Sequence, residues 1–388
     1  YFTSSRLIFN KEKSKLEQIP DLIAQKHYDK AFHHLLLYEQ QYGVDCEVGE
    51  RGRILLGQGY FSRIWSHPMH IKEGYLIDKV KHIDAKSERN RWEHFQIEQG
   101  ERLFSECAKH GSTIGSLVMG KRYCEQAYKT VLRETNSGLK AKPHDQLFVN
   151  GLELLKTVAD KGLVEGAYAY ASWLLKFSQY LIVKGFNSTQ SSEISIQGMY
   201  DDAVKFNTMG GNKGHPGCLF NLSLQYANGI GVKQDKSRAI DLLLASIKIK
   251  PTANACYELH KIYAQSRGKS ASEYLGGNLY SHQAAVKAAE LGHLQTQYRL
   301  ALHFESVVVP KKSTKAEKKE AYAEAARFYD MASKHNHSGA KHRLAMLYLN
   351  GYVEKEEENV HELASTLLME AAMLGHQDSK KLIKTLDP

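Results

Sequence analysis

One pattern recurs along this chain, and recurrence constrains a fold more tightly than composition does. A small residue is followed four positions later by an apolar one, next to it by a second small residue, and three beyond that by a large one. The pattern stands at Cys218, Leu222, Ser223, Tyr226; at Ala255, Leu259, His260, Tyr263; at Thr296, Leu300, Ala301, Phe304; and at Ala340, Leu344, Ala345, Tyr348. Earlier copies read Gly52, Leu56, Gly57, Tyr60, then Gly115, Met119, Gly120, Tyr123, then Ala167, Ala171, Ser172, Leu175. On a helix, at about 100° per residue, these positions share one face. Small side chains at two of them let a neighbouring helix approach closely.

A second helix, rich in Ala, follows each copy and stops at Gly or Asn. Cys107-Ala108 precede Gly111, Val158-Ala159 precede Gly162, and Gly210-Gly211 precede Gly214-His215. Ala288-Ala289 precede Gly292-His293, Ala332-Ser333 precede Asn336-His337, and Ala371-Ala372 precede Gly375-His376. Gly or Asn after a helix tolerates the left-handed backbone that ends it. One hairpin ends instead at Ile249-Lys250-Pro251, where Pro is expected to start the next helix. The unit is therefore helix A, loop, helix B, turn, about seven times over. Its variable length falls in the A–B loop: His67 to Arg89, Glu134 to Asp145, Lys184 to Ser195, Asn228 to Asp235, Arg267 to Gly277, Ser306 to Lys315, and Gly351 to Asn359. Such units stack into an all-α solenoid, with the long loops along one edge. A helical pair from Lys15 to Tyr42 and a short segment from Asp378 to Leu386 are expected to cap the ends.

Composition agrees: only 7 Pro stand among 388 residues, and Pro is the residue that breaks helices. The most apolar stretch, Gly166 to Val183, is interrupted by Ser172, Lys176, Ser178 and Gln179, so no membrane span is expected. The chain begins at Tyr1 rather than Met, which implies that residues have been removed upstream, a signal or membrane anchor among the candidates. The five Cys are scattered without CxxC spacing, which argues for free thiols, against a zinc site and against a disulfide framework. Net charge is +9, spread along the chain apart from a run at Lys311, Lys312, Lys315, Lys318 and Lys319. A basic balance can mean nucleic acid, an anionic membrane surface or an acidic protein partner, and no nucleic-acid module is visible.

No HExxH, GxSxG, GxxxxGK[ST] or GxGxxG motif occurs in the expected setting. Gly229-Ile230-Gly231 lies between two helices and reads as a turn rather than a phosphate loop. His110, His215, His293, His337 and His376 fall one solenoid step apart at B-to-A turns. They cannot converge on one ion, so they read as turn and cap residues. His260 takes a slot otherwise filled by Gly, Ser or Ala and is expected to be satisfied by a hydrogen bond. No catalytic residue, cofactor or metal is expected. A further stripe lies two and six residues into each A helix: Ala169 and Trp173, Phe220 and Leu224, Tyr257 and Lys261, Tyr298 and Leu302, His342 and Met346. It either lines a binding groove or packs against adjacent A helices; Lys121, Arg299 and Arg343 flank it. The candidate partner-binding residues are Trp173, Phe220, Leu224, Tyr257, Lys261, Tyr298, Arg299, Leu302 and His342.

The stretch YANGIGVKQD over Tyr226–Asp235, followed by Arg238-Ala239, resembles the Sel-one-like repeat, a relative of the tetratricopeptide repeat. So does AAELGHLQTQYRL over Ala288–Leu300. The resemblance divides the chain into capping helices over 1–47, degenerate repeats over 48–214, well-matched repeats over 215–375, and a C-terminal cap over 376–388. It implies a right-handed α-solenoid and a non-enzymatic scaffold that binds another protein. Its most specific implication is an immunity protein that neutralises an interbacterial lipase-type toxin; the alternative is an envelope adaptor for polysaccharide or peptidoglycan assembly. Either places the chain in the periplasm, free or anchored through a removed N-terminal segment, with the cytoplasm as the alternative. No nucleic acid is implied.

Overall fold

A computed structural model of the chain describes residues 16–42, 47–62, 85–136, 146–183, 195–265, 277–309, 314–353 and 360–386. Every regular element among them is helical. In order they are α1 (Ile19–Ala24), α2 (Tyr28–Gln41), α3 (Glu47–Phe61), α4 (Ala85–Lys109), α5 (Thr113–Asn136), α6 (Gln146–Asp160), α7 (Val164–Val183) and α8 (Ile196–Asn212). There follow α9 (Pro216–Asn228), α10 (Lys236–Ile249), α11 (Ala253–Gln265), α12 (Gly277–Glu290) and α13 (Leu294–His303). The last are α14 (Lys315–Ser333), α15 (Ser338–Leu349), α16 (Val360–Met373) and α17 (Gln377–Leu386). From α3 onward the odd helices are A and the even ones B, seven pairs of an α-solenoid, with α17 after the last.

The B-to-A turns explain why the units repeat. In five of them the left-handed residue donates its N–H to a carbonyl three back, and the next residue donates to one five back. The pairs are Gly111/Ser112, Gly162/Leu163, Gly292/His293, Asn336/His337 and Gly375/His376. This double bond closes the end of helix B and fixes the angle at which helix A departs. At the turn between α10 and α11, Pro251 does not start a helix; it precedes Thr252, whose Oγ1 accepts the Ala255 N–H at 3.3 Å. The A–B connection after α9 turns on Gly229 and Gly231, both at φ 69°, and α10 is then capped by Asp235. The loop assigned to Ser306–Lys315 starts inside a π-helix, Phe304–Val308, and α4 begins at Ala85, before Arg89; the other loop assignments lie wholly or mostly outside the described residues, as do Lys311, Lys312 and Cys46.

The chain divides into two compact units, residues 1–210 and 211–388. In the first, Leu16, Ile19, Leu35, Leu56 and Leu103 close the N-terminal core, and Phe148, Leu155, Trp173, Phe177 and Phe206 fill the larger one. Helices α7 and α8 meet through aromatic rings, Tyr170 against Phe206 at 5.1 Å, with the Tyr170 hydroxyl donating to Asp202. In the second unit, Leu243, Leu259 and Ile262 form one core, and Phe328, Tyr329, Leu344 and Leu368 centre the other. Backbones come close where the repeat places small residues. A Cβ added at Gly115 would stand 2.7 Å from the Ala108 nitrogen, so the α4–α5 junction admits no side chain there.

Candidate functional site

The helix starts of the second unit share one side-chain arrangement. An N-cap must accept one of the orphan N–H groups of the first turn. Here the acceptor is histidine: Nδ1 of His215, His293, His337 and His376 takes the N–H of Cys218, Thr296, Ala340 and Ser379 at 3.1–3.3 Å. Three of these rings also stack on a ring from the preceding A helix. Tyr257 lies on His293 at 4.1 Å, Tyr298 on His337 at 4.2 Å, and His342 on His376 at 4.4 Å. Between α9 and α11 the cap is Thr252, which has no ring. His110, the fifth turn histidine, is not a cap; Ser112 accepts the Gly115 N–H instead.

The stacked rings belong to the stripe read from the sequence. Phe220, Leu224, Tyr257, Lys261, Tyr298, Leu302, His342 and Met346 are all half-buried, and Arg299 is exposed. One face of each of Tyr257, Tyr298 and His342 is thus covered by the ring stacked on it, while the residue stays half-buried. The packing expected of the stripe is present at these three residues.

Trp173 is placed differently. It is 8 % exposed and packs in the first unit beside Tyr128, under the Lys176 ammonium. Ala169 is 4 % exposed. The cause is register. Gly166, not Ala167, meets the preceding B helix at Val158-Ala159, as Gly115 meets Cys107-Ala108. The pattern in α7 therefore runs Gly166, Tyr170, Ala171, Leu174, all buried, and the outward position belongs to Tyr168, 36 % exposed.

Charges along the stripe are largely neutralised. Lys261 pairs with Glu258 at 2.5 Å, and Arg343 with Glu305 at 3.2 Å. Glu305 lies on a one-turn π-helix, Phe304–Val308, that continues α13. Its other oxygen accepts the Tyr329 hydroxyl at 2.6 Å. Burial, then that hydrogen bond and the carboxylate's charge, push the Tyr329 phenol far above its ordinary value. Beyond it Tyr322 and Tyr352 stack at 4.3 Å. Sequence reasoning missed Glu305 and Tyr329, because a π-turn has no spacing signature. Arg299 has no partner among the described residues.

For reaction chemistry the inventory is sparse. Among the described residues no group of three His, Cys, Asp or Glu side chains could hold a metal ion. Cys107, Cys124, Cys218 and Cys256 are free and buried, which separates Cys107 and Cys124, the pair on consecutive helices, from any bridge. Burial pushes the Cys107 and Cys124 thiols up to about 11 and about 12, the opposite of an activated nucleophile. His260 is satisfied, its Nδ1 standing 3.0 Å from both the carbonyl and the hydroxyl of Ser281. No described helix is long and apolar enough to cross a membrane.

No family model matches the chain, and no curated protein matches it. Solved structures do. A Sel1 repeat protein from Oxalobacter formigenes is 18 % identical with a TM-score of 0.42, each chain covering 94 % of the other. The protective antigen c5321 of uropathogenic Escherichia coli, which displays an SLR fold, is 14 % identical with a TM-score of 0.30, over 92 % of this chain and 79 % of that one. The immunity protein Pa5087 from Pseudomonas aeruginosa is 17 % identical with a TM-score of 0.28, over 54 % of this chain and 67 % of that one. Likeness at this level says nothing of what this chain binds.

Proposed function

We propose that the chain is a non-enzymatic binding protein whose second unit grips an acidic protein partner on the outward stripe of its A helices. The observation that carries this reading is the run of half-buried rings, Phe220, Tyr257, Tyr298 and His342, presented from successive A helices. Stacking holds three of them, so little side-chain entropy remains to be lost on binding, and preorganised aromatic groups are what interfaces use as anchors. Arg299 beside them, and the net charge of +9, favour an acidic surface opposite.

The finer reading is that the partner is an interbacterial lipase-type toxin, which the solenoid neutralises in the periplasm by covering the entrance to its active site. Support for it comes from the repeat resemblance and from a chain built of repeats without a catalytic motif. Co-expression with toxins encoded beside the gene tests it. Protection of the cells, lost with the charge reversal Arg299→Glu and with association slowing as salt rises, is the expected outcome. Absence of both protection and a co-purifying toxin would transfer the reading to an envelope adaptor.

A further inference from the structure

The capping histidines do two jobs with one ring, and only one protonation state allows both. Each Nδ1 accepts a backbone N–H, so the ring must be neutral with its proton on Nε2. A proton added to Nδ1 sets donor against donor and places a positive charge at a helix N-terminus, where the peptide dipoles already present positive charge. Serine or aspartate in the same place would not titrate in this range. Ser112 and Asp235, which cap α5 and α10, show that the fold accepts them.

We propose that His293 and His337 are acid-labile latches, whose protonation frees the starts of α13 and α15 together and unseats the rings stacked on them. The groups facing each latch are few. His293 meets Tyr257 from α11, its own Thr296 hydroxyl at 2.7 Å, and the charge of Glu258. His337 meets Tyr298, which has Tyr329 behind it. At the start of α17 the Nδ1 atoms of His342 and His376 both lie within 3.1 Å of the Ser379 hydroxyl, with Arg343 and Asp378 near His342. A cationic ring over Tyr257 or Tyr298 would regain some cation–π attraction. It would still lose its cap, because Nδ1 cannot carry a proton and accept one.

The direction of the effect follows from burial. It holds His293, His337 and His342 below the ordinary value of 6.5, against the weaker pull of Glu258 on His293 and of Asp378 on His342. The unfolded chain therefore binds more protons than the folded one through this range. Stability is fully present above 6.5 and falls as pH drops through the depressed folded values. Since Tyr257 and Tyr298 lie on the stripe, acid would also reshape the proposed binding face; that last step alone rests on the partner-binding reading.

Hydrogen exchange on the full chain, without any partner, tests the latches. Between about pH 7.5 and about pH 5.5, the protection factors of the Thr296 and Ala340 amides should fall several-fold, by about tenfold at most. The Ser112-capped start of α5 should keep its protection. In the double variant His293→Asn, His337→Asn, which keeps an acceptor that does not titrate, the fall should shrink to under about twofold. Unchanged protection in the natural chain, or an equal fall in the double variant, would overturn the proposal. Should the variant fail to fold, NMR titration of the natural chain decides alone: midpoints for His293 and His337 below 6.5 support the latch, and midpoints at or above it refute it.

Discussion

Trp173 and Tyr168 stand five positions apart on α7 and face opposite environments. The tryptophan is enclosed by Tyr128 and the Lys176 ammonium, so Trp173→Ala should cost about 3–5 kcal/mol of unfolding free energy, as large-to-small core changes do. Tyr168→Ala, at a position 36 % exposed, should cost clearly less. Urea denaturation of both variants checks the pair, and equal costs would contradict the register placed here. The error in the sequence reading has a physical source. Gly166 and Ala167 are both small, and either satisfies a slot defined by size alone. Counting forward from the turn would have decided it, because the left-handed residue lies four before the contact residue at Gly111, Gly162, Gly292, Asn336 and Gly375.

Among the elements, the π-turn after α13 ties three helices together through one carboxylate. Glu305 receives Tyr329 from α14 and Arg343 from α15. Glu305→Ala leaves the buried Tyr329 hydroxyl without its acceptor and should cost about 1–3 kcal/mol. Tyr329→Phe, which removes the hydroxyl as well, should recover part of that loss in the double variant. Equal and additive losses in a denaturant series would mean that the hydroxyl finds another acceptor. Helix ends and hairpin pairing were legible because glycine at a helix stop and small residues at a helix contact leave a periodic trace. The π-turn leaves none: one extra residue in the turn swings Glu305 toward α14 and α15, and nothing in FESVV announces it. The histidine caps were legible as turn residues, but their stacking on Tyr257, Tyr298 and His342 required coordinates.

For the molecule as a whole, the repeats put chemically similar residues at equivalent places. Under the proposed function, the A-helix stripe of the second unit is the part that acts. The central claim is that this stripe is where a partner sits, and hydrogen exchange of the full chain with its partner bound, compared with the chain alone, measures it most directly. The account predicts new protection on α9, α11, α13 and α15, strongest in the turns around Tyr257, Tyr298 and His342. Protection confined to the B helices α10, α12, α14 and α16, with those A-helix turns unchanged, would contradict it.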